Sequence, residues 1–203
     1  MDKERREQLK HKYDMARQKE KIDAKMGEAT EERGIAILIT GSGKGKTTSA
    51  FGMIMRCLGY GHKVGLVQFI KGVQQSGEEI FIRNNYPDLP FYQMGTGFTW
   101  DTQDRLGDIA AAEKTWTFAE KLLQDESLHL VVLDELTYPL NYGWLNIAAV
   151  LDDLAARPPM QHVVITGRAA PRALTEAADT VTDLYNIKHA FRAGVRAQKG
   201  VDL

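Results

Sequence analysis

IAILITGSGKGKTT, residues 35–48, decides how the chain is read. Ile35–Ile39 is an apolar run of strand length and strand composition. Glycines follow at 41, 43 and 45, then Lys46, Thr47 and Thr48, and a helical pattern opens at once in SAFGMIMRCLG. Strand, glycine-rich turn, Gly-Lys-Thr and helix together make a phosphate-binding loop. Glycine lets the backbone take left-handed angles and approach a phosphate without a Cβ clash. Amides of the turn and of the helix N-terminus then converge on one anion. Lys46 adds a point charge, and Thr47 offers a hydroxyl to a metal that bridges phosphate oxygens. The usual pattern has a glycine five residues before Gly45; here that position is Thr40. A triphosphate site still fits, while a standard hydrolase geometry is less well supported.

Working outward, 203 residues with 43% hydrophobic content suffice for one domain with a proper core and an extra arm. Basic and acidic residues balance, 26 against 27, which argues against a general nucleic-acid grip. Cys57 is single, so no disulfide framework exists. The highly charged N-terminus has no apolar signal core, and no run is long enough to span a membrane. A cytoplasmic protein is expected, with neither nucleic acid nor membrane as partner.

Residues 1–33 differ from the rest, with 10 Lys/Arg and 9 Asp/Glu around sparse apolar positions Leu9, Tyr13, Ile22 and Met26. They read as a helical arm, either a solvated helix with a thin apolar stripe or a mobile arm that orders on a ligand or partner. Residues 34–203 read as the catalytic domain. Strand-like runs at 35–39, 64–70, 91–94, 128–133, 162–165 and 180–185 alternate with helical patterns. That alternation implies an α/β fold, a mainly parallel sheet covered on both faces, with ligands at the carboxyl ends of its strands. Chemical-looking residues fall at those ends: Thr40–Thr48, Gln68–Lys71, Gly95–Trp100, Asp134–Tyr138 and Thr166–Arg168.

In Leu130–Glu135, four apolar residues run into the sheet and a carboxylate emerges at its end. Asp134 or Glu135 is placed to hold Mg²⁺ opposite Thr47. Arg33, just before the first strand, is within reach of a nucleotide. Arg56, nine residues after Thr47, is either a triphosphate ligand or a surface helix residue, and periodicity leaves both readings open. Arg168 follows Gly167 at a strand's carboxyl end, which favours a site role. Two loops at this edge are aromatic, Phe98 and Trp100 in one and Tyr138, Tyr142 and Trp144 in the other. Loop aromatics usually plug a core, but two such loops beside a nucleotide site also suit a bulky planar second substrate.

The residues resemble one family over nearly the whole chain. EERGI (31–35), TGSGKGKTT (40–48), VGLVQFIKG (64–72), GFTWDTQ (97–103), VVLDELTY (131–138), ITGR (165–168), ADTVTDL (178–184) and KHAFRAGVRAQKGVD (188–202) occur in order. Together they resemble the ATP:corrinoid adenosyltransferases of the phosphate-loop type, and Thr40 belongs to that pattern. The resemblance implies a RecA-like P-loop NTPase fold in three layers and a homodimer. It implies transfer of the 5′-deoxyadenosyl group of ATP to the cobalt of reduced cob(I)alamin or another corrinoid, with release of triphosphate. It also implies ATP reversed on the loop, the N-terminal arm as a lid, Mg²⁺, and a flavoprotein as transient electron donor. Carried over by residue, Gly41, Ser42, Gly43, Lys44, Gly45, Lys46, Thr47, Thr48 and Arg56 look like triphosphate ligands, with Arg33 and Arg168 beside them. Thr47 and Glu135 look like the metal ligands. Lys46, Phe98 and Trp100 look catalytic, the two aromatics pressing the lower face of the corrin. Ser42 departs from the family, which often has Asn there; residues 73–90 and the stretch around Pro139–Asn146 match poorly. The rival readings are a P-loop ATPase that switches or loads a partner protein, and a nucleoside kinase.

Overall fold

The structure, a computed structural model, describes residues 3–70, 75–95 and 104–202. The chain divides into two units, Met1–Glu32 and Arg33–Leu203. The first is helix α1 (Lys3–Glu28), which has no buried residue. Leu9, Tyr13, Ile22 and Met26 are all exposed on it. Among the described residues no helix is long and apolar enough to cross a membrane.

The second unit is an α/β domain. In chain order it runs β1 (Ala36–Thr40), α2 (Lys46–Gly59), β2 (Val64–Gln68), α3 (Gly77–Asn85) and β3 (Phe91–Gln93). There follow α4 (Arg105–Leu123), β4 (Leu130–Asp134), α5 (Thr137–Asn141), α6 (Ile147–Ala156), β5 (His162–Thr166), α7 (Arg172–Ala177) and β6 (Thr180–Asp183). The six strands lie in the order β3-β2-β4-β5-β1-β6, and every neighbouring pair is parallel. β5 separates the loop strand β1 from the acid-bearing strand β4. Gln68 pairs with Asp134, and Ile39 with Thr166, so these strands end level with one another.

Alternation along each strand feeds two cores. Leu38, Val67, Val131, Leu133, Val163 and Ile165 face a layer that includes Trp116, Ala119 and Leu123 of α4 and Leu154 of α6. Ile39, Leu66, Val132 and Val164 face the other way, against Ala50, Phe51 and Ile54 of α2 and Ile82 of α3. β4 and β5 occupy the middle of the sheet and β1 lies between β5 and the edge strand β6; these pairings fix the level of the loop and of Asp134.

A histidine cluster closes the opposite end of the sheet. His62 and His129 stack with ring centroids 4.0 Å apart, and His162 meets His129 edge-on at 4.8 Å. Burial and the neighbouring rings lower the pKa values of His129 and His162, and Arg157 adds to the effect on His162. A lowered folded value means the unfolded chain binds more protons just below the ordinary value of 6.5. Stability from this cluster is therefore complete above 6.5 and falls as pH drops toward the folded values. Urea titrations of wild type and His129→Gln at pH 7.5 and 5.5 test this, with wild type losing more stability than the variant on acidification. Equal losses refute it.

Candidate active site

The loop takes its shape from β1, α2 and the end of β6. Gly41 and Gly45 have φ of 100° and 111°, left-handed values that side chains resist. A Cβ at Gly41 would lie 2.1 Å from Asp183 Oδ1. α2 begins at Lys46 with no side-chain cap. Three other helices are capped by their own side chains: Ser76 accepts from Glu79 N, Asp104 from Gly107 N, and Asn146 from Ala148 N and Ala149 N. The N-terminal amides of α2 therefore keep their capacity for an anion.

Lys46 is 6% exposed, and its ammonium donates to the carbonyl of Gly43 in its own loop at 2.8 Å. Burial and then Arg168 lower its pKa, against the opposing pull of Glu135 and Asp134. Asp134 is almost wholly buried and fully engaged. Its Oδ1 accepts from Thr47 Oγ1 at 2.9 Å and from Thr166 Oγ1 at 2.6 Å; its Oδ2 accepts from Gln68 Nε2 at 2.9 Å. A carboxylate this deep is retained only with such partners.

Glu135 contrasts with it. Its backbone amide donates to Thr166 Oγ1, its φ is 61°, and its Oε2 is buried with no hydrogen-bond partner. Burial, then the adjacent Asp134, raise its pKa to about 7. A strained residue with an orphaned buried oxygen is a costly arrangement that a bound cation would relieve. Among the described residues no group of three His, Cys, Asp or Glu side chains is arranged to hold a metal by itself. Mg²⁺ takes only one or two protein oxygens and fills its shell from phosphates and water. Of the two carboxylates open in the sequence, the structure favours Glu135, because Asp134 already spends both oxygens holding Thr47, Thr166 and Gln68.

Lys46, Thr47, Asp134, Glu135 and Arg168 line one cavity of about 1090 Å³, far larger than a triphosphate needs. The rest of the wall includes apolar Phe51, Met55 and Phe81. Arg168 is carried by the turn after β5; Thr137 Oγ1 and Asn141 Nδ2 both donate to its carbonyl. Burial, then the neighbouring Glu135, push the Tyr138 phenol upward, against the opposing charge of Arg168.

Residues 32–203 match the family model described as ATP:corrinoid adenosyltransferase BtuR/CobO/CobP. The chain belongs to the ATP:corrinoid adenosyltransferase family. It is 52% identical over 193 residues to a corrinoid adenosyltransferase of Pseudomonas aeruginosa, covering 95% of each chain. It is 50% identical over 186 residues to one from Escherichia coli K12, covering 92% of this chain and 94% of that one. The corrinoid adenosyltransferase CobA of Salmonella typhimurium is 48% identical over 184 residues, covering 91% of this chain and 93% of that one.

Not every residue expected at an adenosyltransferase site arrives there. Gly43–Thr48 and Arg168 line the cavity; Gly41 and Ser42 are not in its wall, and both meet the end of β6. Arg33 lies at the other end of β1. It pairs with Asp179 at 2.7 Å, and Asp179 also accepts from Ala36 N at 2.7 Å, so Arg33 guards the start of β1, a strand's length from the loop. Arg56 is exposed on α2, outside the cavity wall and ten residues, about 15 Å of helix, beyond Lys46. Trp144 is corrected, being 7% exposed and part of a core, which leaves Tyr142 as the exposed ring of that loop at 46%. Phe98 and Trp100 lie outside the described residues. Gln68 and Thr166, which anchor Asp134, stand in the sequence only among the chemical-looking residues at strand ends, with no individual role. Their signal was present as a polar residue closing each apolar strand, in VGLVQ and HVVIT.

Proposed function

We propose that this chain transfers the 5′-deoxyadenosyl group of ATP to the cobalt of a reduced corrinoid and releases triphosphate. The observation that carries the reading is a phosphate loop, a buried Lys46 and an orphaned Glu135 oxygen around one large cavity, in a chain of this family. The cobalt(I) lone pair attacks the ribose C5′. A Co–C bond forms, the C5′–O bond breaks, and its electron pair leaves on the triphosphate oxygen. No proton moves in that step, so it asks for no general base.

Residues of the chain act on the leaving group and on position. Lys46 swings from the Gly43 carbonyl to the departing oxygens, and the amides at the start of α2 share the growing negative charge. Arg168 adds charge from the β5 side. Thr47 and Glu135 would hold Mg²⁺, which when bound supplies charge neutralisation of the triphosphate. The cavity volume beyond the triphosphate houses the nucleoside and brings the second substrate in line, which supplies proximity. Phe98 and Trp100 cover the lower corrin face and favour loss of its axial ligand, making cobalt(I) more accessible. Homodimerisation, the α1 arm as a lid and a flavoprotein electron donor complete the reading.

Incubation with ATP, Mg²⁺ and chemically reduced cobalamin tests it. A photolabile Co–C product identified by its spectrum is expected; phosphate release without that product points instead to an ATPase that serves a partner protein. Phe98→Ala combined with Trp100→Ala is expected to abolish adenosylation while ATP binding, followed by titration calorimetry, stays nearly intact. Normal adenosylation by the double variant removes the aromatic cover from the mechanism.

A further inference from the structure

We infer that Asn186 is a positioning residue for the triphosphate: its carboxamide clamps the outer side of the phosphate loop and so determines which loop amides are left for the ligand. The inference rests on the reading of that loop as the triphosphate site.

β6 pairs with β1 as far as Asp183 opposite Thr40, where both strands end. The bonding does not stop there. Leu184 N donates to the Thr40 carbonyl at 2.9 Å, and Gly43 N donates to the Leu184 carbonyl at 2.6 Å. The chain then leaves the sheet, and a side chain takes over. Asn186 Nδ2 donates to the Ser42 carbonyl at 2.9 Å, while its Oδ1 accepts from Lys44 N at 3.2 Å. One carboxamide thereby supplies a donor and an acceptor to backbone groups two residues apart, as a neighbouring strand would. The approach is possible because residue 43 has no side chain; a Cβ there would lie 2.6 Å from the Leu184 carbonyl carbon.

The consequence concerns direction. With the amides of Gly43 and Lys44 both engaged on the β6 side, neither is available to a phosphate. The first helical bond of α2 runs from Ser49 N to the Gly45 carbonyl. That leaves the amides of residues 45–48, ahead of that bond and without a side-chain cap, for the anion. Asn186 thus builds the loop before the ligand arrives, and without it ATP must order the loop on binding. Once ATP is bound the loop is ordered in ground and transition states alike, so the cost falls on KM and spares kcat.

Asn186→Ala in the full chain, titrated with inorganic tripolyphosphate and Mg²⁺, is expected to bind about tenfold more weakly than wild type. The KM for ATP rises with it, and kcat stays within about twofold. Ile187→Ala, at a neighbouring side chain 97% exposed, is expected to behave as wild type. Wild type gives a second measurement that does not depend on the variant folding: the Lys44 amide, followed by NMR without ligand, exchanges more slowly than an open loop amide. Tripolyphosphate binding by Asn186→Ala within twofold of wild type, a fall in kcat at unchanged KM, or an unprotected Lys44 amide overturns the role of Asn186. Failure of wild type to bind tripolyphosphate at all overturns the triphosphate reading and this inference together.

Discussion

Replacing Lys46 by methionine lowers kcat for adenosyl transfer by two to three orders of magnitude, with a smaller effect on KM. The magnitude follows from what removal of one preorganised charge donor costs when charge develops on a leaving group, about 10²–10³ in kcat. Triphosphate is already anionic in bound ATP, so Lys46 contributes to binding, but the bridging oxygen acquires its full charge only as the C5′–O bond breaks. Methionine keeps the buried stem packed in a residue that is 6% exposed. The folded state also loses an ammonium that burial and Arg168 already disfavour, so the variant remains folded. Steady-state kinetics beside a thermal melt separate the outcomes. A kcat within tenfold of wild type, in a folded variant, shows that Lys46 does not touch the leaving group.

Glu135→Gln moves activity and stability in opposite directions. Adenosyl transfer falls by at least about a hundredfold, because the replacement removes the one carboxylate at the site with a spare buried oxygen. Stability of the ligand-free protein rises. The wild-type carboxyl is raised to about 7 by burial and by Asp134, while the unfolded chain keeps the ordinary 4.5. Between those values the folded state holds the proton and the unfolded state releases it. Wild-type stability from this group is therefore highest below 4.5, falls as pH climbs toward 7, and stays reduced above it. The full cost is on the order of 3 kcal/mol. Glutamine carries no charge and escapes it. Denaturant titrations without Mg²⁺ at pH 5, 6, 7 and 8 read the difference between variant and wild type, which widens with pH and then levels off. The difference curve also removes the histidine cluster, whose contribution runs the other way and is common to both proteins. A variant no more stable than wild type at pH 8 shows that the buried carboxylate is compensated in the free protein.

Both results turn on a division of labour between adjacent acids that local pattern does not resolve. LVVLDE states that a strand ends in two carboxylates. Asp134 is the last residue of β4 and points where Thr47, Gln68 and Thr166 converge from three other segments. Glu135 is the first residue beyond the strand, turned by a φ of 61° into a place with no partner. One residue of register separates a fully engaged acid from one with an orphaned buried oxygen. The register is set by β2 and β5, 66 and 32 residues away in sequence from their bonds to Asp134.

Much of the fold was legible because it is written in short-range periodicity. Apolar runs bounded by turns, alternating with helical spacing, are enough to imply a parallel sheet with helices on both faces. Gly-Lys-Thr between a strand and a helix is enough to imply a phosphate site, since the glycines and the helix start act within a dozen residues of one another. What tertiary structure alone decided is every role that depends on distant segments meeting. Arg33 precedes the loop strand in sequence, yet a strand is a rod whose two ends are far apart, and Asp179 pairs with Arg33 at the end away from the phosphate loop. Arg56 follows Met55, which lines the cavity, yet is itself exposed and outside that wall. Asn186 lies 144 residues after Ser42 in a stretch with no motif, and only the pairing of β6 with β1 brings its carboxamide to the loop. Local chemistry specified a triphosphate loop; the stacking order of the strands chose the groups that shape and serve it.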